Sequence, residues 1–194
     1  MKNLFVVAIT AMVLTTSCEE AKDPFLIQDN SIGLLSKEIR VSQLDSVFAL
    51  DSIVKTTPDG EVIVAGGDIE VYDKAGALLM VLTPAIKEAD SSKIKTIQIV
   101  DSRFATDKGL NSKSTFKTIK DNYTVNQIFT TMSSVIVSLN ETKTYVIIDK
   151  KELPESLRYT SNNIEITQIP EEATFKFFML EWDQTVQEKQ LEDE

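Results

Sequence analysis

One short pattern opens two separate stretches of this chain, and its recurrence limits the fold more than any other feature. Gly33-Leu34-Leu35-Ser36-Lys37 leads into IRVSQLDSVF (39–48); 76 residues later, Gly109-Leu110-Asn111-Ser112-Lys113 leads into STFKTIKDNY (114–123). Val41, Leu44 and Phe48 in the first stretch recur at spacings of three and four, as do Phe116, Ile119 and Tyr123 in the second. Such spacing puts each trio on one helical face. The pattern predicts a loop turning on Gly33 or Gly109, at a positive φ or a close backbone approach, followed by a short amphipathic helix.

Strand-like sequence follows each helix. In the first stretch it is DSIVKT (51–56), a Pro58-Asp59-Gly60 turn, EVIVA (61–65) and DIEVY (68–72). Asp73-Lys74-Ala75-Gly76 then reads as a hairpin turn before ALLMVLTP (77–84). The second stretch offers NQIFTTM (126–132), SSVIVSL (133–139), a turn at 140–143 and TYVIID (144–149). Both close alike: KIKTIQIVD (93–101) is answered by TFKFFMLEWD (174–183), which is apolar on both faces and so suits a central strand. A short helix near Pro154 (150–157) and a strand IEITQI (164–169) complete the second stretch. Consecutive strands with two short helices imply an α+β class. The expected architecture is two tandem copies of a short helix followed by an antiparallel β-sheet, at 32–101 and 102–183.

The N-terminus carries a different message. Lys2 precedes an apolar run from Leu4 to Leu14, then Thr15, Thr16, Ser17 and Cys18, the only cysteine. A run of roughly 11 residues is shorter than the roughly 20 a membrane span needs. It reads instead as a signal peptide over 1–17. A thiol directly after small residues resembles the lipobox of Bacteroidetes-type bacterial lipoproteins, with Thr15 where leucine is usual. The resemblance implies a diacylglyceryl thioether on Cys18, cleavage before it and further acylation. Two or more chains anchor a protein stably. An ordinary secretory signal cut near Ser17 is the alternative. Residues 18–31 read as a polar tether, and 184–194 as an acidic tail. The acids Glu19 and Glu20 just after Cys18 resemble surface-export signals, which implies the outer membrane or the cell surface.

Cleavage after Ser17 would remove one Lys and no acid, taking the net charge from −10 to −11. Such acidity argues against a nucleic-acid partner, which requires a basic footprint. The chain has no histidine. Ser-His-Asp and Cys-His catalysis and Cys/His zinc sites are therefore excluded. Carboxylate or lysine chemistry and oxygen-ligated cations stay open.

The candidates are few. Asp101, Asp107 and Asp121 surround the second Gly-Leu loop but match no calcium-loop spacing, and read as solvated loop acids. Glu152 and Glu155 are available as an acid/base pair, although nothing fixes their separation. Glu171-Glu172 reads as turn surface. Trp182 suits a core edge, or a sugar-stacking face shared with Tyr159. Tyr72 and Tyr145 read as strand formers. Asp45-Ser46-Val47 and Asp51-Ser52-Ile53 resemble the Bacteroidetes O-glycosylation tripeptide, with Ser52 the more exposed expectation. Gly66-Gly67 lacks the GK[ST] of a phosphate loop.

A glycine-led helix followed by antiparallel strands, used twice, resembles the tandem architecture of beta-lactamase inhibitor proteins. The single unit resembles the BamE/SmpA outer-membrane lipoprotein module. What this implies is protein binding through a concave sheet face and loops. The resulting expectation is a lipid-anchored, non-catalytic envelope lipoprotein with an unidentified envelope protein as partner, no cofactor and no metal. A carbohydrate-capture lipoprotein of an uptake system, or a carboxylate-dependent envelope hydrolase, is the alternative.

Overall fold

The computed structural model describes residues 23–55, 69–86 and 90–182. The signal segment with Cys18, the 58–60 turn, the 61–65 strand, Gly66-Gly67 and the 184–194 tail lie outside the described residues.

The described strands, in chain order, begin with three short ones: β1 (Leu26–Gln28), β2 (Ser31–Ile32) and β3 (Leu35–Ser36). Then come β4 (Ser52–Lys55), β5 (Ile69–Tyr72), β6 (Leu78–Pro84), β7 (Ile94–Ile99) and β8 (Ala105–Thr106). The last four are β9 (Val125–Thr130), β10 (Ser134–Leu139), β11 (Thr144–Asp149) and β12 (Phe177–Glu181). Eight of them form one antiparallel sheet, the main body, in the order β4-β5-β6-β7-β12-β11-β10-β9. The remaining four make a second sheet, ordered β3-β2-β1-β8. Two short helices, α1 (Leu44–Val47) and α2 (Phe116–Asn122), precede β4 and β9.

This overturns the expectation of two tandem helix-then-sheet copies. The fold is mostly β, and strands from both halves share one sheet because β7 and β12 pair directly, Ile97 opposite Leu180 and Ile99 opposite Phe178. Had each half kept its own sheet, both strands would present unpaired backbone groups along an apolar edge, which proteins avoid. Three more expectations fail locally. Leu26–Gln28, inside the stretch read as a tether, is β1, with Ile27 buried. The 164–169 segment is a 3₁₀ turn at Ile166–Gln168, closed by the Gln168 side chain accepting the Glu165 N–H at 2.9 Å, and not a strand. The helix expected over 150–157 is two 3₁₀ turns either side of Pro154.

One face of the large sheet carries the core. A single cross-strand row, Val71–Met80–Ile99–Phe178–Val146–Val137, runs across six strands and is buried throughout. Both helical trios pack into the same core: Val41, Leu44 and Phe48, and Phe116, Ile119 and Tyr123. Helix α2 has no side-chain cap; its first N–H groups donate instead to the carbonyls of Ala173 and Glu171, each at 2.9 Å. That contact satisfies orphan donors and pins α2 to the segment leading into β12. Gly33 (φ +52°) and Gly109 (φ +80°) adopt the left-handed conformation, as does Gly76 (φ +80°) in the β5–β6 turn. Gly33 also makes a close approach: a Cβ there would lie 2.1 Å from the Pro24 carbonyl oxygen.

Candidate functional site

The opposite face of the large sheet is unequal. On the first half Leu79, Val81 and Glu70 are buried. On the second half an apolar row, Phe129–Ile136–Ile147–Phe177, crosses four adjacent strands in register and is only partly buried. Strict alternation puts these side chains opposite the core row. Tyr145 lies beside Met179 and Ser138 on this face. Burial, with the nearby Glu181 charge second, pushes the Tyr145 phenol up to about 12. The Ser138 hydroxyl is buried and has no hydrogen-bond partner among the described residues. Phe129 belongs to β9, an outermost strand of the sheet among the described residues, whose sequence VNQIFT has no charge and no proline. Edge strands usually carry such protection against pairing.

A groove of about 590 Å³ lies at one end of the sheet. Leu34, Val47, Ala49, Leu50 and Ala75 supply its apolar wall, and Asp51, Asp73, Lys74 and Arg103 its rim. Arg103 is held from two sides. Its guanidinium donates to both Asp101 carboxylate oxygens (2.8–3.1 Å) and to Asp73 (2.9 Å), and lies 4.9 Å from the Phe25 ring centroid. Hydrogen bonds from Arg103 hold the Asp101 carboxyl below its ordinary range. The Ala77 N–H, reinforced by Arg103, does the same for Asp73. Two converging acids are thus kept ionised and occupied, the reverse of the raised pKa that a general acid needs.

The candidates from the sequence scatter. Asp101 pairs with Arg103, Asp121 pairs with Lys117 at 2.8 Å, and Asp107 is exposed. Among the described residues no three acids, or acids with cysteine, are arranged to hold a metal. Glu171 pairs with Lys120 at 2.7 Å, Glu172 is exposed, and Glu152 accepts the Thr174 N–H. Glu155 is exposed on its 3₁₀ turn. Trp182 packs against the core beyond the end of β12, whereas Tyr159 is 92% exposed at the opposite end of the sheet. The two rings therefore form no common platform. Ser52 is exposed on β4, and Ser46 is exposed on α1 as well. Tyr72 donates to Glu70 at 2.6 Å. Arg103, the centre of the rim, escaped the sequence reading. Its only local signal was Asp101 two residues earlier, because Asp73 is brought in by the fold.

No family model matches the chain, and no curated protein matches it. It is similar to a solved structure, the uncharacterized protein yfeY from Escherichia coli, with a TM-score of 0.49 and 14% identity over 80% of this chain and 98% of that one.

Proposed function

We propose that the chain is a lipid-anchored, non-catalytic lipoprotein of the outer membrane or cell surface that binds another envelope protein through the open half of its large sheet. The observation that carries the binding surface is the in-register row Phe129–Ile136–Ile147–Phe177, an apolar strip left partly open to solvent. Aromatic and aliphatic anchors of this kind are what protein interfaces bury at their centres. The ion-paired state of Asp73 and Asp101 supports a non-catalytic reading, since both are held ionised and occupied by Arg103 instead of poised as a general acid. The Cys18 signal supports the placement.

The test is site-specific photocrosslinking in intact cells, with the reactive group at Ile136 or Phe177, and at exposed Lys117 on α2 as control. A discrete protein adduct from the two sheet positions and none from Lys117 is expected. Adducts only to polysaccharide, or none from the sheet positions, would count against the reading.

A further inference from the structure

The strand directions place the exposed apolar side chains unevenly. Because each neighbouring pair in the large sheet is antiparallel, the start of β6, the end of β7, the end of β11 and the start of β10 all lie at one end. The groove is at that end, since the β5–β6 turn and Arg103 border it. Met132, just before β10, is there too. So is Tyr159: the Lys150 backbone, directly after β11, donates to Ser133, and the Lys150 ammonium holds the Thr160 carbonyl at 2.6 Å. Among the described residues, five large apolar side chains are more than half exposed: Leu34 (56%), Leu50 (70%), Met132 (97%), Tyr159 and Ile86. Four sit at this end. Ile86 lies beyond the far end of β6, roughly 20 Å away at strand rise.

The first described residues are fixed to the same end. Pro24 presses its carbonyl against Gly33, next to Leu34, and the Phe25 ring lies under Arg103. Asp23 follows Cys18 by only five residues, and a fully extended chain of that length reaches at most about 18 Å. An acylated Cys18 would hold this end of the fold close to the headgroups. Arg103 is paired internally with Asp73 and Asp101, so approach to a lipid surface does not strand it without a partner.

We propose that this end of the sheet faces the bilayer that holds Cys18, with Leu34 and Leu50 seated in its interface. Leucine side chains so exposed gain by leaving water, and a lipid surface, unlike a protein partner, is guaranteed within reach of the anchor. The open apolar row Phe129–Phe177 lies on a sheet face toward this same end, so a protein bound there would sit beside the membrane surface. The inference rests on the reading of Cys18 as the lipid-bearing residue.

Acylation blocks the Cys18 thiol, so a cysteine introduced elsewhere is the one free thiol of the mature chain. Full-length lipidated Leu34→Cys, Leu50→Cys and Ile86→Cys proteins, each labelled with a bimane fluorophore, are placed in phosphatidylethanolamine/phosphatidylglycerol vesicles carrying a doxyl-lipid quencher. Quenching several-fold stronger at positions 34 and 50 than at 86 is expected. Equal quenching at all three, or the strongest at 86, overturns the orientation. Shielding of 34 and 50 from iodide without lipid quenching also overturns it, because a protein would then be the cover. Intact mass separates the two readings: an acyl-free Cys18 defeats the anchor and the orientation together, while an acylated chain with unquenched 34 and 50 defeats the orientation alone.

Discussion

Gly33→Ala separates two costs that usually arrive together. An L side chain in the left-handed region costs roughly 1–2 kcal/mol. At Gly109 nothing lies within 4 Å of where the added methyl would sit, so Gly109→Ala should lose about 1–2 kcal/mol. At Gly33 the same methyl meets the Pro24 carbonyl oxygen at 2.1 Å, and Pro24 and Phe25 must move. Phe25 then gives up its edge contact with Phe104 (centroids 5.2 Å apart, planes at 72°) and its place beneath Arg103. Those contacts contribute about 0.5–1.5 and 0.5–1 kcal/mol. The total for Gly33→Ala is about 3 kcal/mol, roughly twice that of Gly109→Ala. Urea unfolding followed by Trp182, the single tryptophan, measures both. In thermal scans the gap should be several degrees, at roughly 2–4 °C per kcal/mol for a chain of this size. Equal losses would refute the reasoning, since they would show that Pro24 is not seated on Gly33.

Phe178→Ala and Phe177→Ala should differ sharply although they are neighbours. Phe178 is fully buried in the core row, so its loss should cost about 3–5 kcal/mol in urea unfolding; Phe177 is on the partly open face and should cost far less, while weakening capture of the crosslinked partner. Arg103→Met should act through pH. The folded-state pKa of Asp101 is depressed by Arg103, so its contribution is present above the ordinary aspartate value of about 3.9 and is lost as pH falls through the lower folded value. Melting temperatures from pH 7 to pH 2 should therefore show a gap between wild type and Arg103→Met that is constant above the ordinary value and closes below it. A gap that widens in acid would contradict the pairing.

Helical spacing of three and four was enough to find both buried trios, because helix burial is periodic and local. The left-handed glycines were equally legible, since only a sharp turn explains glycine before a helix there. TFKFFMLEW proclaimed a central strand by being apolar on both sides, and β12 is central. The pairing of β7 with β12 left no such trace: which strands become neighbours depends on how the whole sheet closes, not on either strand's own pattern. Strands of two or three residues, such as β2 and β8, are too short to show a period. Ile164 and Ile166 imitated alternation, yet Ile164 is buried and Ile166 is exposed, because the chain coils there. The candidate site followed the same division. Individual apolar strand residues were visible, but their alignment into Phe129–Ile136–Ile147–Phe177 is a property of register. The Asp73–Arg103–Asp101 cluster joins a hairpin turn to a loop 30 residues away.

The proposed attachment of lipid at Cys18 underlies the placement, the partner class and the orientation alike. Feeding cells an alkyne palmitate and reading label on the purified chain measures it directly. Label on the wild-type protein, with none on Cys18→Ala and loss of that variant from the membrane fraction, is the predicted result. Label that persists on Cys18→Ala, or a wild-type chain that carries none, would contradict it.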